Sequence, residues 1–213
     1  MHDVRRAMVQ AVEATIPLFA SGALSTRWEE PSVLPHFSVR GLAGHLLRAP
    51  TVVEAYLDGP PPPARAPLIT AAAYYVDALS DSDIEGDAHT LVRARGEEAA
   101  AGGPSVVAGE WEAACERLRS RLATEPPNRR VQVYRNHVLL LDEYLRTRLV
   151  ELCVHADDLA ASLGVAPPAL PEAATEVAIA TLVEVARQRR GDLAVLRALT
   201  RRERDDVEAL RVM

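Results

Sequence analysis

The stretch that decides the reading of this chain is "RTRLVELCVHADDLAASLG", Arg146 to Gly164. Leu145, Leu149, Leu152 and Leu159 recur at the three- and four-residue spacings of a helix with a buried face. The polar residues do not gather opposite them. At about 100° per residue, Tyr144 and His155 fall within about 40° of Glu151, Asp158 within about 20° on its other side, and Arg148 about 60° away. A phenol, a guanidinium, two carboxylates and an imidazole therefore share one strip, flanked on both sides by leucines. Such a strip is not expected to be a fully solvated face.

Glu151 and His155 stand one helical turn apart, which lets a carboxylate oxygen and an imidazole nitrogen aim at one point, as paired histidines do in zinc hydrolases. The same pair also forms ordinary surface contacts, so a metal site needs a third ligand from elsewhere. The candidates are His2, His36, His45, His89 and His137. His2 is terminal, His36 and His137 precede or start helices, and His89 lies in "EGDAHT", which predicts exposure. His45 differs, because it sits mid-helix in "VRGLAGHLLRA" among Val39, Leu42, Leu46 and Leu47. Gly41 and Gly44 beside it permit a close helix approach or leave room for a ligand. On the residues alone, His45 reads either as a ligand or as a core histidine with its bonds satisfied.

Outward from this strip, the chain reads as helices divided by proline-rich punctuation. Apolar positions at Val4, Met8, Val12, Ile16 and Phe19 predict a helix over about 3–23. Ser38 can cap the next, from Val39 towards Leu57, with a kink or break expected at Pro50. "PPPPARAP" is an extended connection. Further helices are expected over 70–79, from about Asp83 to Ala100, from Pro104 or Ser105 to Leu122, from about Leu139 to Leu163, over 172–189 and over 192–199. Gly164 closes the long one. "VQVY", Val131–Tyr134, alternates weakly as a strand would. The fold class is all-α, a helical bundle. Residues 1–165 are expected to form it, and 166–213 a C-terminal helical extension packed on it.

Composition bounds the function. A net charge of −6 argues against a nucleic-acid partner, which needs a basic face. No segment approaches the roughly 20 apolar residues of a membrane span, and the N-terminal stretch lacks a signal-peptide core, so a cytoplasmic protein is expected. Cys115 and Cys153 belong to no Cys-x-x-Cys pair and read as free buried thiols. Every basic residue other than histidine is arginine, in an alanine-rich chain, which suggests a G- and C-rich genome.

"LPHFSVRGLAGHLLRA" followed about a hundred residues later by "TRLVELCVHADDLAASLG" resembles the mycothiol-dependent maleylpyruvate isomerase N-terminal domain, part of the DinB-like superfamily of metal-binding four-helix bundles. The matching residues are Phe37, Ser38, Val39, Arg40, Leu42, His45 and Leu46, then Arg148, Glu151, His155, Asp158 and Leu159. The resemblance implies a DinB-like four-helix bundle with extra C-terminal helices, in which His45, Glu151 and His155 hold a divalent metal, usually zinc. Arg148, Asp158 and Tyr144 are then neighbours that support a ligand or contact substrate. It also implies mycothiol, an actinobacterial low-molecular-weight thiol, as cosubstrate. The metal would activate that thiol for attack on a small electrophile, in a transferase or isomerase. One departure stands out: the isomerase carries a mixed α/β domain after its bundle, whereas the residues after Gly164 read here as helices. The alternative function is a non-catalytic bundle, binding a metal or ligand as a stress-linked interaction module. A water-activating hydrolase is a third reading without an evident general base. A homodimer is open to a bundle with extra terminal helices.

Overall fold

A computed structural model describes residues 3–79, 86–201, 203 and 207–212. In chain order it contains α1 (Asp3–Phe19), α2 (Gly22–Thr26), α3 (Val39–Asp58), α4 (Ala71–Ala78), α5 (Asp87–Ala99) and α6 (Pro104–Thr124). Then come β1 (Arg130–Gln132), β2 (Val138–Leu140), α7 (Leu141–Leu163), α8 (Glu172–Arg190) and α9 (Asp192–Thr200). Four helices close a square: α1 packs on α6 and α7, and α3 packs on the same two. This is the all-α, four-helix bundle that the sequence predicts.

Trp111 of α6 fills the space towards α1. It is fully buried, stacks on Phe19 with ring centroids 4.2 Å apart, and donates its indole N–H to the Val12 carbonyl at 3.0 Å. Leu145, Leu149, Leu152 and Leu159 of α7 are likewise fully buried, each contributing about 1.5–3 kcal/mol by leaving water. α5 lies on α3, and α8 covers α7, α4 and α1. Beneath α8 a second apolar cluster joins Ala72, Tyr75 and Val150 to Ala178, Val185 and Val195.

The capping expectations at Ser38 and Gly164 hold: Ser38 Oγ accepts from the Gly41 amide at 2.9 Å, and Gly164 ends α7 at φ 68°. Thr70 Oγ1 also caps, accepting from the Ala73 amide at 3.2 Å. Three differences have local causes. The first helix stops at Phe19, because Ser21 caps a separate short helix with its hydroxyl on the Ala23 amide. α3 runs through Pro50 without a break. The proline removes one amide, but Ala49, Pro50, Val53 and Leu57 are buried and hold both halves in line. Of "VQVY" only Val131 and Gln132 lie in a strand, β1, whose partner Val138–Leu140 occupies the expected start of the long helix. The expected helix start at Asp83 lies outside the described residues, and α5 is described from Asp87.

Candidate metal centre

His45 owes its place to glycine. At Gly44 an added Cβ would run into the Gly96 carbonyl oxygen of α5, and at Gly96 it would meet the Gly41 carbonyl oxygen. The two glycines therefore serve close helix approach rather than open space for a ligand. The Ser38-Val39-Arg40 stretch fastens this contact. Ser38 Oγ donates to Glu97 Oε1 at 2.6 Å, and Arg40 Nε to Glu97 Oε2 at 2.5 Å. α3 is thus clamped against α5 on one side while its His45 turns towards α7.

There His45 meets the strip. His45 Nε2 lies 3.1 Å from Glu151 Oε2, and His155 Nε2 lies 3.6 Å from the same oxygen. The imidazole rings sit edge to face with centroids 4.8 Å apart, and Phe37 packs on His45 at 5.9 Å. One ligand atom from each of His45, Glu151 and His155 falls within 4.8 Å of the others, the one such cluster among the described residues. The side chains are 13–15 % exposed, enclosed yet reachable.

The flanking residues divide by task. Asp158 Oδ2 lies 2.9 Å from His155 Nδ1, which leaves Nε2 directed at Glu151. Asp158 therefore faces His155 and not Arg148. Arg148 makes no ion pair among the described residues; its guanidinium lies over the Tyr144 ring at 5.0 Å, and its Nε donates to Thr147 Oγ1 at 3.1 Å. Tyr144 is buried against Tyr56 and Tyr74, next to Arg148 rather than inside the triad.

One group lies outside any motif. The Tyr75 hydroxyl reaches Glu151 Oε1 at 2.8 Å and the Thr147 carbonyl at 2.9 Å. Tyr75 belongs to "AAAYYVDAL", whose spacing bears no relation to α7, so only the packing of α4 on α7 reveals it. Among the other histidines, His137 pairs with Asp77 at 2.9 Å away from this centre, and His36 takes a positive φ of 65° in the turn before α3. His2 lies outside the described residues.

The charge states are uneven. Burial would raise the Glu151 carboxyl, but hydrogen bonds from His155 and His45 and the nearby Arg148 charge hold it well below the usual range. Burial lowers His45, outweighing its bond to Glu151. His155 is buried too, yet its bonds to Asp158 and Glu151 prevail and push it up to about 9. Burial and the Glu151 charge keep Tyr75 protonated, hence a donor. An ionised carboxylate and two inward imidazole nitrogens form a donor set suited to zinc and its neighbours among the divalent metals. His45 Nδ1 is buried without a hydrogen-bond partner. Cys153 is not part of the centre, and burial pushes its thiol to about 11, which makes it a poor nucleophile.

The family pattern described as the Mycothiol maleylpyruvate isomerase N-terminal domain matches residues 9–160, more than two thirds of the chain. All three clustered residues lie inside that span. No curated protein and no solved structure matches the chain.

Proposed function

The chain belongs to the mycothiol maleylpyruvate isomerase N-terminal domain family, and from that premise we propose that it is a metal-dependent transferase or isomerase with mycothiol as cosubstrate. His45, Glu151 and His155 would hold the divalent ion, zinc in the first instance. Two neutral imidazoles and one carboxylate leave such an ion net positive, and its charge lowers the pKa of a bound thiol so that thiolate forms near neutral pH. The remaining work falls to the chain. Asp158 fixes the His155 ring so that Nε2 faces inward. Arg148, without an ion pair among the described residues, offers its charge to an anionic group on the small electrophile, with Tyr144 supporting the guanidinium from below.

The observation that carries this reading is the convergence of His45 on Glu151 and His155 from a helix about a hundred residues away. A core histidine needs one partner; this one shares a single carboxylate oxygen with a second imidazole. We assign the site to residues 1–165, with 166–213 as a helical extension packed against the bundle. Neither a nucleic acid nor a membrane is a proposed partner: the net charge is −6, and no described helix is long and apolar enough to cross a bilayer.

Metal analysis of the purified protein tests the reading first. About one equivalent of divalent metal is expected in the unaltered chain and none in His45→Ala. Metal retained by the variant overturns the site. Calorimetric titration with mycothiol then separates thiol activation from structural metal binding: binding that is the same with and without metal counts against activation.

A further inference from the structure

Tyr75 lies on α4, yet it divides the Glu151 carboxylate in two. Its hydroxyl is 2.8 Å from Oε1, while Oε2 is the oxygen that faces both imidazoles, 3.1 Å from His45 and 3.6 Å from His155. The phenol has one proton and two acceptors within reach, the Thr147 carbonyl at 2.9 Å and the Glu151 carboxylate. The ionised carboxylate is the nearer and the stronger acceptor, so the proton is directed to Oε1. α4 is also pinned where it must be for this contact. The Ala71 amide at its start donates to Glu143 Oε2 of α7 at 2.7 Å, and Ala72 and Tyr75 pack with Val150 and Val185 in the cluster beneath α8. Glu143 and Glu151 thus hold α4 along α7 at two points, one through its backbone and one through the phenol.

We propose that Tyr75 is a positioning residue that confines Glu151 to metal binding through Oε2 alone. The inference rests on the reading of His45, Glu151 and His155 as ligands. A carboxylate free to turn can present both oxygens to a cation, as carboxylates commonly do to larger ions. With Oε1 held by the phenol, Glu151 takes one position on the ion, and one more stays available for a thiol or an electrophile. Partners of metal ligands that fix orientation in this way change affinity about 10- to 100-fold when removed.

The test compares the unaltered chain with Tyr75→Phe, which deletes only the hydroxyl. Zinc affinity is measured by competition with a chelating dye, and cobalt(II) loading gives a visible spectrum that reports coordination number. Tyr75→Phe is expected to bind zinc about 10- to 100-fold more weakly and to give a weaker cobalt absorption, as Glu151 supplies its second oxygen. A zinc-loaded crystal structure of the unaltered chain adds an arm that does not depend on the variant folding. It should place Oε2 alone at about 2.0–2.2 Å from the ion. Two bound carboxylate oxygens in that structure, or a Tyr75→Phe protein with unchanged zinc affinity and cobalt spectrum, overturns the proposal while the metal site stands. Failure of the unaltered chain to bind metal, or binding unaffected by His45→Ala, overturns the site itself and this inference with it.

Discussion

Two clusters of buried charge adjoin α7, one at its start and one in its middle, and they are built on opposite principles. At the start, Arg5 of α1 is 3 % exposed in its side chain and fully engaged. Its Nε donates to Asp142 at 2.6 Å, and its other nitrogens donate to the Glu125 and Pro126 carbonyls at 2.5 and 2.8 Å, where α6 ends. A cation at a helix C-terminus, bonded to the loose carbonyls there, is a structural solution. In the middle, His45, Glu151 and His155 gather three groups rich in lone pairs around one point, and His45 Nδ1 has no partner. The first cluster is complete with protein atoms alone. The second brings three potential ligand atoms for a cation within 4.8 Å of one another. That contrast is why one is read as architecture and the other as a site.

The sharpest way to break the contrast is to remove Arg5. Arg5→Met leaves Asp142 and the carbonyls at the end of α6 without their donor, and each acceptor left unsatisfied costs about 1–3 kcal/mol. Denaturant unfolding should show that loss, while zinc affinity of the folded fraction stays unchanged. A drop in zinc affinity without a stability loss would erase the distinction. His45→Ala should do the reverse: zinc affinity falls more than about 100-fold, equivalent to about 2.7 kcal/mol, while the unfolding midpoint of the metal-free chain moves little. An equal effect on both quantities would make His45 a core histidine after all.

Gly44→Ala tests whether the fold itself aims the site. The added methyl meets the Gly96 carbonyl, so α3 and α5 must part, at a cost of about 1–3 kcal/mol. Because His45 is the next residue, zinc affinity should fall along with stability. A stable variant with full zinc affinity would show that His45 does not depend on this helix approach.

The same contrast explains what was legible in the sequence. The strip on α7 could be read because helical periodicity places Glu151, His155 and Asp158 together without any tertiary knowledge. The caps at Ser38 and Gly164 were equally local. His45 required a resemblance, since nothing in its own helix says which side of α3 faces α7. The roles of Gly44 and Tyr75 were hidden for a further reason. Each acts on a residue of another helix, Gly96 and Glu151 respectively, and the register between those helices comes from packing that no spacing encodes. The strand Val138–Leu140 was missed because its apolar run continues straight into α7.

The smallest expected effect concerns protons, and it probes the middle cluster most finely. In the metal-free chain His155 is raised to about 9, so at pH 7 it carries a proton that a metal must displace. Zinc affinity should therefore climb about tenfold per pH unit from pH 6 to 8, about 1.4 kcal/mol each, and calorimetry in buffers of different ionisation heat should count about one proton released. Burial lowers His45, so it contributes less to this slope than His155 does. Stability of the metal-free fold moves the other way. A raised histidine contributes fully below its ordinary value of about 6.5, and the contribution is lost as pH rises through about 9. Asp158→Asn separates the cause from the coincidence. It removes the charge from one of the two carboxylates that raise His155, so the climb in zinc affinity should level off at lower pH, and fewer protons should be released at pH 7. If the variant keeps the full slope and the full proton count, the displaced proton does not reside on His155, and the division of charge between the two imidazoles must be redrawn.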